Sequence, residues 1–111
     1  MAVEELTKYA SGSAGNSVAA NTVVASIATP GKGRWKVWGT VRHTLIDGCK
    51  LLVGSTTVLT VTNAASGSES FGPVIVDILN STDSISIQLA TATGASDTAS
   101  ANLYAQRAYT L

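Results

Sequence analysis

From Ser17 onward the apolar and polar positions of this chain repeat every second residue, the period of a half-buried strand, and β-branched residues are dense. The clearest run is residues 34–45. There Trp35, Val37, Gly39, Val41, His43 and Leu45 fall on one face, and Arg34, Lys36, Trp38, Thr40, Arg42 and Thr44 on the other. The first face is assigned to a core and the second to solvent, so Trp35 is expected to be buried. Trp38 sits among charged and polar neighbours and is expected to meet another subunit, the alternative being cover of its ring by a cation.

Further strands are expected over residues 18–27, 50–53, 56–63, 71–79, 85–89 and 99–109. Turn residues punctuate them: Thr29-Pro30-Gly31-Lys32-Gly33, Asp47-Gly48, Gly54-Ser55 and Asn80-Ser81-Thr82-Asp83. Pro73 has no N–H to donate, which puts the start of its strand at an edge or a bulge. Seven or eight short strands and no long helix make the chain an all-β, single-domain antiparallel sandwich. A ligand-lined barrel would need more large side chains than one Phe, two Trp and three Tyr supply. The Ala, Ser and Thr of the last strands point to a thin core or a close approach between subunits.

Residues 1–16 depart from the pattern. Val3, Leu6 and Tyr9 recur at spacing three, and Ala10-Ser11-Gly12-Ser13-Ala14-Gly15-Asn16 follows, a small-residue composition typical of a linker. These residues read as a flexible N-terminal arm and residues 17–111 as the β-sandwich domain. Such an arm is mobile alone and becomes ordered on a partner, so removing it should leave the domain's stability unchanged. Val3, Leu6, Tyr9 and Trp38 are therefore the candidate partner-binding residues.

Charge excludes several function classes. Seven Lys and Arg balance seven Asp and Glu, and only 13% of the 111 residues are charged. Nucleic-acid binding needs clustered cations to neutralise phosphates, and an anionic membrane needs a basic patch. Neither partner is expected. No apolar run is long enough to span a bilayer, and Met1-Ala2-Val3-Glu4-Glu5 lacks the basic, then apolar, start of a secretory signal, so synthesis and retention in a cytoplasm are expected. Cys49 is the single cysteine, which rules out an intrachain disulfide, and one thiol cannot build a zinc site without several other ligands. His43, the single histidine, lies on the apolar face and reads as a hydrogen-bonded core residue, not as the base that would activate Cys49. Asp47, Asp77, Asp83 and Asp97 stand at or near turns, where an Asp caps its own backbone. No catalytic, cofactor-binding or metal-binding residue is nominated, and an enzyme is not expected.

One longer pattern is familiar. Gly33-Arg34-Trp35-Lys36-Val37-Trp38-Gly39-Thr40-Val41, then Asp47-Gly48, Leu51-Leu52-Val53-Gly54, Ser70-Phe71-Gly72-Pro73 and Ile85-Ser86-Ile87-Gln88-Leu89 resemble the strand order of small jelly rolls. Similar patterns accompany compact trimers in the C1q and tumour-necrosis-factor superfamily, and the chain also resembles the head-decoration (cement) proteins of tailed bacteriophages. That resemblance implies a non-enzymatic virion protein, made in a bacterial host cytoplasm, that binds the major capsid protein on the capsid exterior and stabilises the shell. It also implies self-association, a homotrimer before a dimer. The alternative function is a receptor- or carbohydrate-binding module of a tail fibre or spike, with Trp35 or Trp38 as a sugar platform.

Overall fold

The computed structural model describes residues 7–45, 47–62 and 68–109. Within them the chain forms β1 (Thr7–Ala14), β2 (Val23–Ile27), β3 (Gly33–His43), β4 (Cys49–Val53), β5 (Thr56–Val61), β6 (Ser68–Ile78), β7 (Ile85–Leu89) and β8 (Ala99–Tyr109). They assemble into two four-stranded sheets, ordered β1-β8-β3-β6 and β2-β7-β4-β5. The antiparallel pairs β1/β8, β2/β7, β3/β6 and β4/β5 are what one long hairpin gives when it is rolled into a sandwich. Pairing of β3 with β8 and of β4 with β7 completes the roll. This is the jelly-roll order.

The period-two pattern of β3 is realised residue by residue. Trp35, Val37, Val41 and His43 are buried between the sheets, and Lys36, Trp38 and Thr40 stand half-buried on the outer face. Leu51, Ile85, Ile87 and Leu89 of the second sheet join Trp35, Val37 and Val41 in one core cluster, all fully buried. Trp35 is the largest of the core side chains. Its indole N–H donates to the Gly31 carbonyl at 3.0 Å, so burying the ring strands no polar atom, and the Arg107 guanidinium lies 5.6 Å from the ring centroid.

One expectation fails at the edge of the first sheet. Residues 7–14 are not a linker: all eight pair in register with β8, from Thr7 opposite Gln106 to Ala14 opposite Ala99. Their alternation is there in miniature, with Ser11 and Ser13 outward and Ala10, Gly12 and Ala14 toward the core. Small residues are required because β1 packs closely on β2, and a Cβ at Gly12 would fall on the carbonyl oxygen of Val24. Of the two expectations for the Ala-rich last strand, a thin core or a close approach between subunits, the packing bears out the core. β8 lies between β1 and β3, with Ala99, Ala101 and Ala105 buried in the domain's own core.

Smaller differences have local causes. The strand expected from residue 18 begins only at Val23, because Asn21 adopts a positive φ of 65° and the preceding residues form a turn. Pro73 does sit at an edge and a bulge. β6 is the outer strand of its sheet, and its register against β3 slips between Val37 and Gly39, opposite Pro73.

Candidate functional site

Two surfaces carry apolar side chains that the domain itself leaves uncovered. The first is the outer face of the β1-β8-β3-β6 sheet. Tyr104 of β8 has Tyr9 of β1 on one side and Trp38 of β3 on the other, so three aromatic rings form one row across three strands. Tyr9 and Tyr104 lie 4.9 Å apart, tilted by 42°, while Trp38 and Tyr104 stack at 5.6 Å with 9° between their planes. Such cross-strand pairs hold one another in place.

The neighbouring row is polar: Ser11, Asn102, Thr40 and Ser70. The Tyr9 hydroxyl donates to Asn102 Oδ1 at 3.1 Å, and Asn102 Nδ2 donates to Thr40 Oγ1 at 3.4 Å. Beyond Trp38 the bulge of β6, with a cis Gly72–Pro73 bond and Gly72 at φ 76°, turns the edge strand away from regular pairing. A shallow groove of about 370 Å³ results, with Trp38 and Tyr104 on one side, Gly72 and Pro73 on the other, and Lys36 and Thr40 along it. The Lys36 ammonium stands 5.5 Å from the Trp38 ring centroid, so a cation does partly cover this ring.

The second surface is the flank where β5 and β6, the outer strands of the two sheets, barely meet. A hollow of about 320 Å³ lies there, lined by Val53, Val58, Ile75, Val76 and Leu79 together with Thr56 and the carboxylates of Asp77 and Asp83. Ile75 is 60% and Leu79 71% exposed, and Val58 is exposed too. β5 has no charged residue and no proline, the usual guards of an edge strand. Parity could have found this patch, since Ile75 and Leu79 share the outward phase of Asp77.

The structure separates the sequence-nominated residues. Tyr9 and Trp38 belong to the aromatic row, joined through Tyr104, which sequence reasoning did not single out. Val3 and Leu6 lie outside the described residues. Cys49 is buried at the start of β4, where desolvation pushes its thiol up to about 11, the opposite of what a nucleophile needs. His43 is buried in the core, and its Nδ1 accepts the Leu45 N–H at 3.1 Å. Asp97 does cap its turn, accepting the Gly94 N–H at 2.9 Å and the Thr44 hydroxyl at 3.0 Å. Asp77 does not cap a turn. It stands in β6 opposite Arg34 and takes two hydrogen bonds from that guanidinium, at 2.7 and 3.0 Å, which hold its carboxyl below the usual carboxylate range. Among the described residues no three His, Cys, Asp or Glu converge on a possible metal position, and no helix is long and apolar enough to cross a membrane.

The fold thus defines a class, the eight-stranded jelly roll. No family model matches the chain and no curated protein matches it. Among solved structures, a chain from the cryo-electron-microscopy structure of mud crab dicistrovirus is similar, with a TM-score of 0.38 and 11% identity over 95% of this chain and 68% of that one. A likeness of this degree adds nothing to what the strand order already states.

Proposed function

We propose that this chain is a non-enzymatic structural protein of a virus particle, a capsid decoration protein that associates with copies of itself and with the major capsid protein on the shell's exterior. The observation that carries the reading is the open flank. Val58, Ile75 and Leu79 expose large apolar side chains around a hollow that Asp77 and Asp83 also line, beside an edge strand without charge or proline, and exposed apolar side chains grouped in this way support an interaction surface. Jelly rolls serve in capsid shells and in lectin domains, so the fold is compatible with the virion role, by analogy. On this reading the flank joins copies into a homo-oligomer, a trimer before a dimer. Val3, Leu6, Tyr9 and Trp38 then contact the shell. Binding only to the assembled shell would stabilise it by mass action.

The test is to add the purified protein to shells of the cognate particle that lack it. Saturable occupancy and a raised disassembly temperature are expected, with occupancy reduced by Leu79→Asp. Shells that neither bind the protein nor gain stability overturn the reading. The groove beside Trp38 favours a second reading, a carbohydrate- or receptor-binding module of a fibre or spike. A shallow aromatic groove with polar neighbours is what a sugar binder needs.

A further inference from the structure

We infer that the groove beside Trp38 binds an acidic glycan, a chain of carboxylate-bearing sugars lying along β3. The inference deepens the second reading above and is independent of the virion role. Three observations carry it. Trp38 is stacked on Tyr104, which is itself in contact with Tyr9, so the indole is held in place as a platform for the apolar C–H face of a pyranose. The polar row beside it offers the Thr40 hydroxyl and the Asn102 amide, already oriented by their own hydrogen bonds, to sugar hydroxyls.

The third observation is charge. The outward positions of β3 read Arg34, Lys36, Trp38, Thr40, Arg42, so Lys36 and Arg42 bracket the platform about 20 Å apart at the usual rise per strand residue. Asp77 is the carboxylate that strand register places on this outer face among the described residues, and Arg34 holds it. No ion pair engages Lys36 or Arg42 among the described residues. Among the described residues the face is therefore net positive beside an aromatic platform, and the span suits several sugar units. Lys36 meets the Trp38 ring only by an exposed cation–π contact, which a ligand carboxylate can readily replace.

The experiment is calorimetric titration of the full chain with a tetragalacturonate, using maltotetraose as the neutral control. The acidic tetramer is expected to bind at least tenfold more tightly than the neutral one, and to weaken as salt is raised from 20 to 300 mM. Trp38→Ala should abolish binding of both sugars and Trp38→Phe should retain part of it. Lys36→Gln should erase most of the preference for the acidic sugar without removing residual stacking. Circular dichroism and thermal melts show whether each variant is folded. Absence of tetragalacturonate binding to the wild-type protein overturns the inference, as does equal affinity for the neutral sugar or binding untouched by Trp38→Phe and Lys36→Gln. A protein that loads onto shells yet ignores tetragalacturonate defeats this inference alone, and one that binds the sugar but not shells defeats the virion reading alone.

Discussion

The two flanks of the sandwich solve one problem in opposite ways. On one side β1 and β2 come together so closely that Gly12 meets the backbone of Val24, and Ala10 and Ala14 fill what space remains. On the other, β5 and β6 stay apart and leave Val58, Ile75 and Leu79 facing solvent. Small residues seal the first flank, and large apolar ones leave the second in want of cover. The difference teaches that side-chain size at a sandwich edge decides whether the two outer strands close on each other or stay apart.

Removing residues 1–14 should break the sealed flank most severely. It strips β8 of its outer neighbour and uncovers the inward faces of Ala101, Leu103 and Ala105. The truncated protein is expected not to fold cooperatively, as read by a thermal melt. A melt like that of the full chain would mean that β1 is dispensable, as a mobile arm would be. Trp35→Ala tests the shared core and should cost about 3–5 kcal/mol in chemical denaturation, as a large buried truncation does. Next comes Gly12→Val, whose added atoms collide with Val24; a loss of about 2–3 kcal/mol is expected, as for overpacked cores. The matching change on the open flank, Leu79→Asp, should alter the stability of the isolated domain by no more than about 0.5 kcal/mol, because Leu79 is mostly in water already.

The smallest effect concerns the Arg34–Asp77 pair on the β3–β6 edge. Asp77 is depressed by its hydrogen bonds from Arg34, so its folded pKa lies below its unfolded one. Its stabilisation is therefore complete above the ordinary Asp pKa and is lost as pH falls through the lowered folded value. In Arg34→Ala the Asp77 titration, followed by carboxyl NMR shifts, should move up toward the normal range, with little change in stability near neutral pH because the pair is exposed.

These contrasts also explain what the sequence disclosed. β3 was legible because large apolar and charged residues alternate along it, so Trp35 could be buried and Trp38 turned outward by parity alone. β1 was not, because its alternation is written in Ala, Gly and Ser, which carry almost no hydropathy contrast and are equally the residues of a linker. Sequence composition could not reveal that Gly12 and its neighbours were small for the sake of a backbone contact with β2. Tyr104 was passed over for another reason: its importance comes from strand register, which sets it between Tyr9 and Trp38 though it is far from both in the chain. The open flank joins Val58 to Ile75 and Leu79 through topology, although the outward parity that Ile75 and Leu79 share with Asp77 marks its β6 side in the sequence.

The claim that the open flank is an association surface is tested most directly by sedimentation equilibrium of the wild-type chain and of Leu79→Asp at micromolar concentration. The wild type should sediment as a homo-oligomer, with a trimer expected before a dimer, and Leu79→Asp as a folded monomer. A wild-type protein that remains monomeric, or a Leu79→Asp variant that keeps the wild-type mass, would contradict it.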